Sequence, residues 1–123
     1  MATAIVVDDS PLMRVQLRKL LGQAGCEVVG EAATGDDVTR LYEAHRPDLI
    51  TLDIVMPGKD GLAAASELLA LYPEAVVVMC TSMTTRDKVM ACQKAGVRHY
   101  LLKPFQPDRA IAVFRHVLNR VTP

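Results

Sequence analysis

Apolar positions along the chain alternate between two rhythms. Short β-branched runs at Ala4–Val7, Glu27–Ala32, Leu49–Asp53, Ala75–Cys80 and His99–Leu102 are separated by longer stretches in which apolar residues recur every three or four positions. The first, third and fourth runs (Ala4-Ile5-Val6-Val7, Leu49-Ile50-Thr51-Leu52 and Ala75-Val76-Val77-Val78-Met79-Cys80) are nearly continuous. Such runs suit strands covered on both faces, as in a parallel sheet with helices on each side. The stretches between them read as helices. Pro11–Ala24 has Ser10 as N-cap, proline at its first position, and a stripe of Met13, Leu17, Leu20 and Leu21. Asp36–His45 carries Val38, Leu41 and Tyr42 and stops before Pro47, where the residue preceding proline is disfavoured in a helix. Gly61–Tyr72 carries Ala65, Leu68, Leu69 and Tyr72 ahead of Pro73. Thr84–Ala95 carries Val89 and Cys92, with Gly96 where a left-handed C-terminal glycine belongs. Pro107–Val121 carries Ile111, Phe114, Val117, Leu118 and Val121. Five strand–helix units joined by short connections predict an open, doubly wound α/β sheet of five parallel strands with helices on both faces.

A length of 123 residues accommodates one such domain, and no linker, repeat or low-complexity tract divides it. Composition narrows the class further. Half of the residues are hydrophobic and 23% are charged, which supports a buried core and argues against disorder or a disulfide scaffold. Lys+Arg 14 balances Asp+Glu 14, so no long-range field calls for nucleic acid or an anionic membrane as the main partner. Cys26, Cys80 and Cys92 form no CxxC pair and read as buried thiols of a reducing compartment. The N-terminus lacks a basic leader, and no apolar run reaches the ~18 residues that span a bilayer. A cytoplasmic protein without membrane insertion is expected.

In open α/β sheets, chemistry gathers outside the carboxyl ends of the strands. Asp8, Asp9 and Ser10 follow the first run, and Asp53 ends the third. Thr81 and Ser82 follow the fourth, and Lys103, Pro104 and Phe105 the fifth; Thr34 and Gly35 after the second bring no evident chemistry. Singly, each has an ordinary reading: Asp8-Asp9-Ser10 as a helix cap, Thr81 as a turn threonine, Lys103 as a surface lysine. Asp53, directly after Leu-Ile-Thr-Leu, is harder to account for as a satisfied core group. Three converging carboxylates repel one another unless a cation offsets them. Magnesium takes carboxylate and phosphate oxygens readily. Taken together, two or three acids, a lysine and a hydroxyl at four strand ends make a magnesium site with an aspartate nucleophile for phosphoryl transfer.

The segments Val6-Val7-Asp8-Asp9-Ser10, Asp53-Ile54-Val55-Met56-Pro57-Gly58-Lys59-Asp60-Gly61, Cys80-Thr81-Ser82 and Lys103-Pro104-Phe105 resemble those of a response-regulator receiver domain, closely the stand-alone CheY type, and they do so along essentially the whole chain. The resemblance implies a (βα)5 flavodoxin/CheY-like sheet in the order 2-1-3-4-5, residues 1–123 forming one receiver domain without an output domain. It implies Asp53 as phosphoacceptor for a sensor histidine kinase, and Mg²⁺ held by Asp8, Asp9, Asp53 and the backbone carbonyl of Val55. Lys103, preceding a cis proline, would bind a phosphoryl oxygen. Thr81 would turn toward the phosphoryl group, and Tyr100 would move inward behind it as an aromatic switch. Such a chain signals as a phosphoacceptor, catalysing only its own phosphoryl transfer and slow autodephosphorylation.

The implied output face is the fourth helix, fifth strand and fifth helix, where Arg86, Lys88, Lys94, Arg98 and His99 gather. Their ordinary reading is a solvated basic face. The implied partners are the kinase, a downstream protein such as a flagellar switch component, and an auxiliary phosphatase; the chain would act as a monomer or a phosphorylation-dependent dimer. Val55 and Met83 stand where polar side chains in other members orient the hydrolytic water, so slow dephosphorylation is expected. Pro47–Asp53 and Lys103–Arg109 look most like chemotaxis regulators, and also like the receiver half of chemotaxis methylesterases, which leaves a receiver within a larger regulator as an alternative. A magnesium-dependent phosphohydrolase fits less well, because its acids usually stand two residues apart on one loop beneath a cap.

Overall fold

The computed structural model describes residues 1–82 and 86–121. Its elements follow in the order β1 (Ala2–Val7), α1 (Pro11–Gln23), β2 (Cys26–Ala32), a 3-10 turn (Gly35–Asp37), α2 (Val38–His45), β3 (Leu49–Leu52), α3 (Gly61–Leu71), β4 (Val77–Thr81), α4 (Arg86–Ala95), β5 (His99–Leu102) and α5 (Pro107–Val121). The strands are all parallel and ordered β2-β1-β3-β4-β5. This is the doubly wound architecture predicted from the sequence.

The sheet separates two cores. Leu17, Leu20 and Leu21 of α1 and Phe114, Val117 and Leu118 of α5 pack on one face with Val6, Leu49 and Val78. On the other face, Leu41 and Tyr42 of α2, Leu68 and Leu69 of α3 and Cys92 of α4 pack with Ile5, Ile50 and Met79. The alternation of β3 explains the split: Ile50 and Leu52 point one way and Leu49 the other. Thr51 lies inside that strand. It is fully buried, and its hydroxyl has no hydrogen-bond partner among the described residues. Thr51→Val keeps the shape and removes the unpaired oxygen, so it is expected to stabilise the fold by about 1 kcal/mol, read from the urea midpoint; a loss of stability would mean that the hydroxyl is satisfied.

Local chemistry accounts for the element ends. The Ser10 hydroxyl accepts the Met13 N–H at 3.2 Å, capping α1 as expected. Gly96, at φ 100°, closes α4 in the left-handed conformation. Thr84 and Thr85, where the fourth helix was expected to begin, lie outside the described residues. The fourth strand starts at Val77 and not at Ala75, because the Ala75 N–H is engaged in a turn to the Tyr72 carbonyl at 3.0 Å. The helix expected from Asp36 begins as the 3-10 turn, and α2 proper starts at Val38. At its end, Arg46 takes φ 43° and lays its guanidinium over the rings of Tyr42 and Tyr72, 5.2 and 4.4 Å from their centroids. All three cysteines are unpaired and buried, and burial pushes the Cys26 thiol up to about 11. Among the described residues, no helix is long and apolar enough to cross a membrane.

Candidate functional site

Parallel strands bring their carboxyl ends to one edge of the sheet, and the four that carry chemistry (β1, β3, β4 and β5) are consecutive neighbours. Asp8 follows β1 and is fully buried; its N–H donates to the Ala32 carbonyl at 3.0 Å and its Oδ1 accepts the Ser10 N–H at 3.0 Å. Asp53 follows β3, and its N–H donates to the Val7 carbonyl at 3.1 Å, which seats its carboxylate beside Asp8. Asp9 is exposed at the mouth of the site. Oxygens of Asp8, Asp9 and Asp53 all lie within 4.8 Å of one another.

Lys103 reaches this cluster from the end of β5, where its N–H donates to the Thr81 carbonyl at 3.0 Å and its peptide bond to Pro104 is cis, as the resemblance implies. Its ammonium donates to Asp8 Oδ2 at 2.7 Å and to Asp53 Oδ2 at 2.9 Å. One cation thus bridges two buried anions while Asp9 adds a third, leaving the site short of positive charge. Burial pushes the Asp53 carboxyl above its ordinary value; Lys103 opposes this, Asp8 adds to it, and a hydrogen bond from the Val55 backbone pulls the other way. Burial works against the charge of Lys103, but its two carboxylate partners outweigh it and raise its pKa. A convergent set of hard oxygen donors with surplus negative charge, buried on one side and open on the other, fits a small divalent cation such as Mg²⁺.

Thr81, Tyr100 and Val55 are the remaining candidates among the described residues. Thr81 ends β4 and is buried beside the strand that delivers Lys103. Tyr100 lies on β5, half-buried against the α2–α4 core, and its hydroxyl donates to the Val97 carbonyl at 3.1 Å. Val55, two residues after Asp53, is 60% exposed. Met83 lies outside the described residues.

Three further contributors had no site role assigned from the sequence. Gly35, passed over as chemically silent, donates its N–H to the Lys59 carbonyl at 3.0 Å and ties the loop after β2 to the loop after β3. Gly61 donates to the Ile54 carbonyl at 2.8 Å, letting α3 begin directly against the backbone of Asp53. Arg14 of α1 donates Nη1 to the Asp8 carbonyl at 2.6 Å. A glycine immediately after a capping aspartate, in a helical turn where it is intrinsically unfavourable, was the available signal for Gly61; Arg14 carried none.

Comparison with known proteins agrees with this geometry. A family profile described as the response regulator receiver domain matches residues 4–115. The chain is 36% identical over 118 residues to a chemotaxis protein CheY of Thermotoga maritima, covering 96% of this chain and 95% of that one. It is 37% identical to the transcriptional regulatory protein PdtaR of Mycobacterium tuberculosis, over 94% of this chain and 56% of that longer protein. Among solved structures, the CheX-CheY-BeF3-Mg complex from Borrelia burgdorferi superposes with a TM-score of 0.89 at 26% identity, covering 94% of this chain and 88% of that one. Vibrio cholerae CheY4 gives 0.87 at 28% identity, covering 95% and 98%.

Proposed function

Given that the chain belongs to the response regulator receiver domain family and is CheY-like, we propose that it works as a phosphorylation switch, taking a phosphoryl group from a histidine kinase onto Asp53 in a chemotaxis or motility pathway. The observation that carries this reading is the Lys103 ammonium bridging Asp8 and Asp53 beside an exposed Asp9. Asp8, Asp9, Asp53 and the Val55 carbonyl would hold Mg²⁺, which when bound offsets the charge of the phosphoryl oxygens.

The ionised Asp53 carboxylate attacks phosphorus, the bond from phosphorus to the donor imidazole breaks, and the departing ring keeps its electron pair and takes up a proton. Lys103, already at Asp53 Oδ2, hands one of its hydrogen bonds to a phosphoryl oxygen. The Thr81 hydroxyl turns to a second oxygen. The side chain of Thr81 then vacates space that the Tyr100 ring fills, so new charge at the end of β3 becomes a new surface on β5. Between residues 86 and 102, along α4 and β5, stand Arg86, Lys88, Lys94 and Arg98 against one acid, Asp87. The α4-β5-α5 face is accordingly suited to an acidic protein target.

The test is phosphoryl uptake from acetyl phosphate or phosphoramidate, followed by intact mass. One phosphoryl group per chain is expected with Mg²⁺, and none in EDTA or in Asp53→Asn; uptake by Asp53→Asn would sink the proposal. Lifetime is a separate expectation. An apolar Val55 and Met83 offer the hydrolytic water no hydrogen bond, so Val55→Asn with Met83→Glu should shorten the half-life of the acyl phosphate on the order of tenfold. An unchanged decay would remove those positions from the account.

A further inference from the structure

Asp8 and Asp9 are neighbours in sequence but are held very differently. Asp8 is bonded through its N–H, both carboxylate oxygens and its carbonyl. The Asp9 carboxylate has no hydrogen bond or ion pair among the described residues. The direction from which it can reach the site is therefore set by its backbone, whose peptide to Asp8 carries the oxygen to which Arg14 Nη1 donates at 2.6 Å. Arg14 stands one turn into α1, its N–H bonded to the Ser10 carbonyl at 3.0 Å, and a helical side chain leans toward the N-terminus, over this loop. Its guanidinium is itself braced: Nε lies 3.4 Å from Glu31 Oε1, and Arg18 pairs with the other oxygen of the same carboxylate. Glu31 immediately precedes Ala32, whose carbonyl receives the Asp8 N–H. The contacts close a ring through the start of α1, the Asp8–Asp9 peptide and the end of β2.

We propose that Arg14, braced by Glu31, is a positioning residue for the divalent-cation site: it fixes the Asp8–Asp9 peptide so that the Asp9 carboxylate converges with those of Asp8 and Asp53. The proposal rests on reading those three acids as the metal site. It predicts a sign opposite to that of simple electrostatics. As nothing more than a positive charge near the acids, Arg14 would repel Mg²⁺, and its removal would tighten binding. As a brace it strengthens binding, in the manner of groups that orient metal ligands from behind, whose loss typically costs about 10–100-fold in affinity.

Calorimetric titration of the unphosphorylated protein with Mg²⁺ separates these cases. Wild type is expected to bind, and Arg14→Met to bind about tenfold more weakly. Arg14→Lys keeps the charge but not the planar fork that spans carbonyl and carboxylate, so it should weaken binding at least as much. Glu31→Asp keeps the charge but shortens its reach to Arg14, so it should weaken binding where charge alone predicts no change, and it guards against an Arg14 variant that does not fold. Unchanged or tighter binding in folded Arg14→Met, or in folded Glu31→Asp if the former does not fold, overturns the brace and leaves the metal site standing. Failure of folded wild type to bind Mg²⁺ overturns the site and the brace together.

Discussion

Gly61→Ala is expected to destabilise the protein by about 3 kcal/mol or more and to disturb the phosphoacceptor with it. A Cβ at Gly61 would fall against the Asp53 carbonyl oxygen, 2.7 Å from its carbon and 2.9 Å from the Ile54 Cα. These are backbone atoms, so no side-chain rotation relieves the overlap. The Gly61 N–H also bonds to the Ile54 carbonyl, which ties α3 to the strand end, and Asp60 caps the same turn by accepting the Ala63 N–H at 2.8 Å. The helix must retreat or Asp53 must shift. Urea denaturation checks the first consequence, and Mg²⁺ affinity, expected to weaken, checks the second. A loss below about 1 kcal/mol would mean that this close approach is absent in solution.

Lys103→Ala is the second large effect, expected to cost about 3 kcal/mol in EDTA near neutral pH, the range for removing one partner of a buried ion pair. Asp8 and Asp53 would lose the ammonium they share, and neither has another cation among the described residues. The pH dependence has a definite sign. Burial already holds the Asp53 carboxyl above its ordinary value, and removing Lys103 takes away the largest opposing influence. A carboxyl with a raised pKa in the folded state takes up protons on folding, so stability falls as pH rises through that pKa and recovers on acidification. The deficit of Lys103→Ala should therefore shrink in mildly acidic buffer. Millimolar Mg²⁺ should restore part of it at neutral pH, because a ligand bound only by the folded state stabilises it. Equal stability of wild type and variant in EDTA at neutral pH would show that the bridge carries no energy.

The fold was legible wherever one physical signal dominated. Continuous apolar runs marked β1, β3 and β4, and an acid, a hydroxyl or a lysine directly after a strand marked the site, because parallel strands deliver those residues to one edge. Boundaries failed where a hydrogen bond outside the local pattern decided the matter. Ala75 has the apolar surroundings of a strand but is held in the turn after α3 by Tyr72, and Asp36 is drawn into a 3-10 turn beside the anchored Gly35. The order of the strands came from family resemblance, since periodicity is silent on which strands are neighbours. The contact between loops from different strand ends (Gly35 to Lys59), the closure of the loop after β3 on itself (Gly61 to Ile54) and the reach of Arg14 to Asp8 join residues with no shared pattern. Their partners are fixed only once the chain is folded.

The central proposal is that Asp53 is the phosphoacceptor. It is tested most directly by trapping the acyl phosphate with borohydride after treatment with phosphoramidate and Mg²⁺, then locating the reduced side chain by peptide mass. Reduction at Asp53 alone, absent when Mg²⁺ is withheld, is the result this account predicts. Reduction at Asp8 or Asp9, or no reduction in a folded protein shown to bind Mg²⁺, would contradict it.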